Sequence, residues 1–256
     1  MERKINSHKG DNGKVMVVGG SKMFHGAPIL CSLGAEYSGV DLVFPFIPPI
    51  QAEAAKTYSL NFIIQTFEGN VLTNKDVKSI LNFSRNVDVV VVGPGLGTDP
   101  KTKTAVKNLL SHLNVPTVVD ASALLYTNSL PKSVTLTPHR GEFRELTGDD
   151  PTPDNVQKWA KNLNATIVCK GPEDIIADRD ELAINDTGNA MMTVGGTGDV
   201  LSGLIGGLIA QGMTPFDAGQ YATKILGKAA ENLADIQSSI RAIDLARSIP
   251  GMMFNN

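Results

Sequence analysis

Gly195-Gly196-Thr197-Gly198-Asp199 stands directly before Val200, Leu201, Leu204, Ile205, Leu208 and Ile209. Apolar residues at that spacing form the stripe of a buried helix. A glycine-rich turn at the N-terminus of such a helix leaves backbone N–H groups unpaired at the positive end of the helix dipole, which suits a phosphate. Asp199 is at odds with that seat, because a carboxylate repels phosphate. It fits if it accepts the proton of a hydroxyl that attacks the phosphate. Spacing alone leaves a second reading open, a capped and glycine-rich packing helix with an acidic first turn.

The segments that would position this turn follow a regular alternation. Apolar runs predict strands over 14–18, 40–46, 61–67, 87–92, 116–119, 134–136, 165–169, 175–178 and 182–185. Periodicity predicts helices over 27–38, 50–59, 73–83, 100–112 and 153–163, then 197–212, 215–233 and 240–249. The run at 14–18 is apolar after Lys14, as suits a strand buried on both faces of a parallel sheet, and the run at 87–92 is broken only by Asp88. Strand, glycine loop and helix in alternation point to an α/β/α architecture with a central, mostly parallel sheet.

Glycine-rich or polar loops follow several of these strands, where α/β sheets bind ligands. They are Gly19-Gly20-Ser21 with Phe24-His25-Gly26-Ala27, Gly93-Pro94-Gly95-Leu96-Gly97, Thr137-Pro138-His139-Arg140-Gly141-Glu142 and Lys170-Gly171-Pro172-Glu173-Asp174. Their glycines either make tight turns or let a ligand reach the backbone. The first loop does not have the GxGxxG spacing, so a dinucleotide fingerprint is not supported. His25 reads as a ligand contact or as a solvated loop residue. His139 and Glu142 would share one face of a helical first turn. They are too few for a metal site and suit hydrogen bonding to a ligand or helix capping.

Bulk properties narrow the class. Of 256 residues, 19% are charged, and the formal net charge of −3 leaves no basic footprint for nucleic acid. Cys31 and Cys169 sit far apart in apolar runs and read as buried small hydrophobes, not as a disulfide or metal site. Met1-Glu2-Arg3-Lys4-Ile5-Asn6 lacks the apolar core of a signal peptide, and no apolar run reaches the length of a membrane span. A soluble, cytoplasmic protein with one domain over residues 1–256 is expected, with no nucleic-acid or membrane partner.

Asn185-Asp186-Thr187-Gly188-Asn189, followed by Gly195-Gly196-Thr197-Gly198-Asp199-Val200-Leu201, resembles the ribokinase-like superfamily. Within it, Ser7-His8-Lys9-Gly10, Gly26-Ala27, the 93–97 glycine loop and the 137–142 segment are similar to the ADP/ATP-dependent NAD(P)H-hydrate dehydratases. The similarity runs from about residue 7 to the C-terminal helices. It implies a ribokinase-like three-layer α/β/α fold and a repair reaction. Hydrated nicotinamide cofactors cannot donate hydride, and the family uses ADP, or ATP, to dehydrate the S form back to NADH or NADPH with release of AMP and phosphate. Asp199 would then deprotonate the ring hydroxyl as it attacks the terminal phosphoryl group. The N–H groups of Gly196, Thr197 and Gly198 would hold the developing charge. By the same resemblance Ala27, Gly95, His139 and Asp199 line the hydrate pocket. Lys170, Gly171, Pro172, Glu173, Asp174 and Gly198 hold the AMP portion. Phosphoryl transfer of this kind implies magnesium, for which no ligand residue is assigned.

The chain departs from the family pattern in three places. Its aromatic residue before Gly-Ala is displaced to Phe24, Ser122 stands where relatives carry Asp or Gly, and Met192-Thr193-Val194 replaces smaller residues. An epimerase domain fused in many relatives is not expected here, which implies a separate epimerase acting on the same metabolite. Relatives are often homo-oligomers, and the same is expected of this chain. A small-molecule kinase for a vitamin-precursor alcohol would share the fold, the glycine turn and Asp199. The 93–97 and 137–142 segments together favour the dehydratase. A non-catalytic nucleotide sensor has no use for a base beside a phosphate.

Overall fold

A computed structural model describes residues 5–126 and 130–253, so residues 1–4 of the N-terminal reading lie outside the described residues. The strands are β1 (Lys14–Val18), β2 (Leu42–Ile47), β3 (Gln65–Thr66), β4 (Val89–Val92), β5 (Thr117–Val119), β6 (Val134–Leu136), β7 (Thr166–Cys169), β8 (Asp174–Ala177) and β9 (Leu182–Asn185). The helices are α1 (Gly26–Tyr37), α2 (Pro49–Tyr58), α3 (Asn74–Ser84), α4 (Pro100–His112), α5 (Arg140–Thr147), α6 (Pro153–Leu163), α7 (Thr197–Ala210), α8 (Pro215–Ala234) and α9 (Ala242–Met253). Short 3-10 turns occupy Ala121–Tyr126 and Ala190–Met192. No helix among the described residues is long and apolar enough to cross a membrane.

The strands form one sheet in the order β3-β2-β1-β4-β5-β6-β7-β8-β9. Pairing is parallel from β3 to β7 and antiparallel from β7 to β9. Alternate side chains feed two cores. Val15, Val17, Val89 and Val91 pack under one helical layer that includes α1, α7, α8 and α9, while Met16, Val18, Val90 and Val92 pack under the layer of α3, α4 and α6. Helices on both faces explain why 15–18 and 89–92 are apolar at successive positions. Because β1, β4, β5, β6 and β7 are parallel neighbours, the loops that follow them line up along one edge.

The strand expected over 61–67 shrinks to Gln65–Thr66. The segment lies at the sheet edge and touches β2 only at intervals, through Ile63 N–H to Val43 O (3.1 Å) and Phe67 N–H to Ile47 O (3.0 Å). An edge segment has one neighbour, and its ladder breaks between the Phe62–Val43 bridge and Gln65, while Phe62 and Phe67 turn inward to the two cores. The stretch after β5, left without an element by the sequence pattern, is the 3-10 turn of Ala121–Tyr126.

α7 is the central helix of its layer and is buried without a break from Val200 to Leu208. It approaches α1 so closely that a methyl group on Gly203 would run into the Cys31 carbonyl, and one on Gly34 into that of Val200. Gly203→Ala is therefore expected to destabilise the fold by about 1–3 kcal/mol, read as a lower urea midpoint at unchanged slope. An unchanged midpoint would contradict this close approach.

Candidate active site

α7 opens at Thr197, with Gly196 as its N-cap in the left-handed conformation (φ 101°). A side chain at Gly196 would meet Leu30 and Ala242 beneath it, so both the backbone angle and the packing call for glycine. The first helical bond of the turn, Val200 N–H to Gly196 O, is 3.0 Å. The amides of Thr197, Gly198 and Asp199 precede it and have no partner within the helix. Thr197 turns its hydroxyl back to the carbonyls of Met192 (3.1 Å) and Val194 (3.2 Å), so its backbone N–H is what it offers to a ligand. Lys170 reaches this turn from the end of β7, with Nζ 3.0 Å from where a methyl on Gly198 would stand.

Four charged groups converge here. Burial, and then the carboxylate of Asp120, push the Asp199 carboxyl up to about 7, against an opposing pull from Lys170 and a smaller push from Glu142. Lys170 Nζ is ion-paired with Asp120 Oδ1 at 2.9 Å, and Thr137 Oγ1 donates to the same oxygen at 2.8 Å. Burial works against the Lys170 charge, but Asp120 and Glu142 outweigh it and the ammonium is held above its ordinary range. A carboxyl near 7 beside free amides is suited to exchange a proton at neutral pH.

The loops after β1 and β4 touch each other. Gly20 N–H donates to Pro94 O at 2.8 Å. At Gly95 (φ 70°) a side chain would come within 3.0 Å of Ala27 Cβ and 3.1 Å of Phe24 Cβ. Ala27 and Gly95 are thus brought together. Phe24 is half-exposed on the same loop. His25 is the N-cap residue of α1 but makes no side-chain cap bond.

His139 does the capping job at α5. Its Nδ1 accepts from the N–H groups of Gly141 and Glu142, each at 3.0 Å, while Glu142 Oε2 accepts from the His139 N–H at 2.8 Å. Since Nδ1 is an acceptor here, the ring's proton sits on Nε2, 3.6 Å from Glu142 Oε2. The ring keeps one donor for a ligand. Lys170 joins this loop through its own N–H to Pro138 O at 2.8 Å.

The turn from Lys170 to Asp174 is braced from inside. Asp174 accepts from Gly171 N–H at 3.0 Å and from Asn185 Nδ2 at 3.1 Å, and Arg140 packs against Gly171. Pro172 and Glu173 are exposed, while the Asp174 side chain faces its own turn. The Asn185–Asn189 motif serves the same brace. Thr187 Oγ1 donates to Asn185 Oδ1 (2.8 Å), Gly188 N–H to Glu231 Oε1 (2.8 Å) and Asn189 Nδ2 to Ala230 O (3.0 Å). Asp120 was not among the site residues expected from the sequence, and Thr137 was expected only as part of the 137–142 loop. A lone Asp directly after a short apolar strand was the only sign of the first.

A family model described as NAD(P)H-hydrate dehydratase matches residues 15–251. The bifunctional NAD(P)H-hydrate repair enzyme Nnr of Pyrobaculum aerophilum is 38% identical over 97% of this chain, which spans 52% of that protein. The ADP-dependent (S)-NAD(P)H-hydrate dehydratase of Cenarchaeum symbiosum is 36% identical over 98% of this chain and 92% of its own length. Among solved structures, the ADP/ATP-dependent NAD(P)H-hydrate dehydratase of Bacillus subtilis, co-crystallised with ATP and Mg2+, has a TM-score of 0.85 at 28% identity, covering 99% of this chain and 93% of that one. With this match spanning nearly every element around the α7 turn, the chain belongs to the NAD(P)H-hydrate dehydratase family.

Proposed function

We propose that the chain dehydrates the S form of hydrated NADH and NADPH at the expense of ADP, with Asp199 as the catalytic base. The observation that carries this reading is a carboxyl held near 7 in the first turn of a helix whose leading amides are free. Hydroxide leaves a ring poorly and phosphate leaves it well. Asp199 takes the proton of the ring hydroxyl as its oxygen attacks the β-phosphoryl group of ADP. The bond from that phosphorus to AMP breaks, and the ring oxygen becomes a phosphate ester. Loss of phosphate and of a ring proton then restores the double bond, so hydrate and ADP give NAD(P)H, AMP and phosphate.

The amides of Gly196, Thr197 and Gly198 hold the charge that builds on the transferring group, and the Lys170 ammonium meets the phosphates from the other side. The backbone of the 170–174 turn seats the AMP portion. Ala27 and Gly95 form the wall on which the ring lies, with the Nε2–H of His139 as a donor to it. Among the described residues no cluster of three His, Cys, Asp or Glu stands ready as a metal cage. Glu142 lies close enough to bias the charge of both Asp199 and Lys170, and a single carboxylate with substrate phosphates is how magnesium is commonly held. Glu142 would hold it, and when bound the ion neutralises charge on the phosphates.

Absorbance at 340 nm tests the reading. Hydrated NADH mixed with the protein, magnesium and ADP should regain the reduced-nicotinamide band, and without nucleotide it should not. No recovery with ADP or ATP would turn the reading to a kinase of the same fold. His139→Ala should raise KM for the hydrate by about tenfold with little change in ADP affinity, since one hydrogen bond to the ring is lost. The missing cap should also cost about 1 kcal/mol of stability. A larger effect on ADP in calorimetry would move His139 to the nucleotide side.

A further inference from the structure

Asp120 takes no part in the chemistry above, yet the fold fixes it with unusual care. It is the first residue after β5, 2% exposed, and its N–H donates to Val92 O at 3.0 Å. Its carbonyl lies against Gly93 so closely that no side chain fits there. Ala121, next in the chain, is held at φ 51°, a left-handed angle that a residue with a Cβ adopts only when its surroundings impose it. The carboxylate so placed receives Thr137 Oγ1 and Lys170 Nζ on one oxygen, at 2.8 Å and 2.9 Å.

Lys170 therefore hydrogen-bonds Asp120 and acts on Asp199 only through space. The alternative partner is close at hand, since the ammonium already lies 3.0 Å from the methyl position of Gly198, one residue before Asp199. An ammonium bonded to Asp199 would hold that carboxylate in its charged form and weaken it as a base. We propose that Asp120 is a positioning residue that ties the Lys170 ammonium beside the first turn of α7 and so keeps it from pairing with Asp199. The role rests on the reading of Asp199 as the base. It leaves Lys170 poised for the nucleotide phosphates while the base stays free for the ring hydroxyl.

The groups facing Asp199 are Asp120 after β5, Lys170 after β7, Glu142 on α5 and the buried, neutral Cys31 thiol on α1. Asp120→Asn keeps an acceptor for Thr137 and removes the charge. The Lys170 ammonium is then released toward Asp199, and both changes favour the charged form of Asp199. Carbon-13 NMR of aspartate-labelled protein, with the Asp199 signal identified by its loss in Asp199→Asn, follows this carboxyl without any turnover. In Asp120→Asn the Asp199 midpoint should fall by at least 1 unit from about 7, and turnover should drop about tenfold. An unmoved midpoint in folded Asp120→Asn overturns the proposal. Should that variant fail to fold, Lys170→Met decides. With the ammonium gone, the Asp199 carboxyl should titrate above about 7, and a fall or no change overturns the proposal. Because the readout is the carboxyl itself, failure here is separate from failure of the dehydratase reading, which the 340 nm assay reports.

Discussion

Replacing Asp199 by asparagine is expected to lower turnover by about 10²–10⁴-fold, the range a positioned general base contributes. The amide is nearly the same size and keeps the third position of α7, so the glycine turn and its free amides stay in place. What is lost is the capacity to take a proton. ADP binding should be retained or tighten by a few fold, because a negative charge beside the phosphate seat has been removed. Calorimetry with ADP and the 340 nm assay on the same preparation check both halves. Near-normal turnover would remove Asp199 from the mechanism. Lost ADP binding would instead make it a structural part of the nucleotide seat.

The second large effect is on stability and its pH dependence. A carboxyl near 7 in the folded chain titrates near 3.9 once unfolded. Between these values the native state binds the proton that the unfolded state has released. This group's stabilisation is therefore complete below about pH 4 and is lost as pH rises through about 7. The full span amounts to at most about 4 kcal/mol, from a shift of roughly three units at 1.36 kcal/mol each. Asp199→Asn lacks the ionisable group, so it should be more stable than the parent chain at pH 8.5 and the advantage should shrink toward pH 5. At about 2–4 °C per kcal/mol, the gap at high pH should approach about 10 °C in Tm. Melting both proteins at the two pH values is sufficient. A gap that does not change with pH would mean that the Asp199 carboxyl titrates in its ordinary range. The activity of the parent chain should show the same group, with kcat/KM falling below about pH 7 as the base takes up its proton.

Much of the fold was legible because the strongest segments carry it. β1 from Val15 onward and β4 are unbroken apolar runs, and burial on both faces of a sheet is the physical demand that writes such runs. β3 is shorter than the apolar pattern over 61–67 suggests because Phe62 and Phe67 are apolar for the cores they enter, and the edge ladder breaks between the contacts they make to β2. At the site, Asp199 stood out since a carboxylate between glycines and a buried helix conflicts with the phosphate seat it adjoins. Asp120 did not, because an Asp after a strand looks like any turn residue and its partner Lys170 is 50 residues further on. His139 shows a third case. Its spacing to Glu142 left ligand bonding or helix capping open, and the backbone shows that both side chains close a reciprocal cap. The Asn185–Asn189 motif is visible in the sequence only as a loop and as part of the family resemblance, whereas in the fold Asn185, the Gly188 N–H and Asn189 brace Asp174 and the end of α8.

On the proposed mechanism the ring hydroxyl is itself phosphorylated before it leaves. Its oxygen must then depart with the phosphate. Hydrated NADH carrying 18O in the ring hydroxyl, turned over with ADP in ordinary water, gives the direct test. Mass spectrometry of the released phosphate should find one 18O in each molecule formed with NADH. Unlabelled phosphate, with the label recovered in water, would mean that ADP is hydrolysed apart from the ring and would contradict Asp199 as the base for phosphoryl transfer.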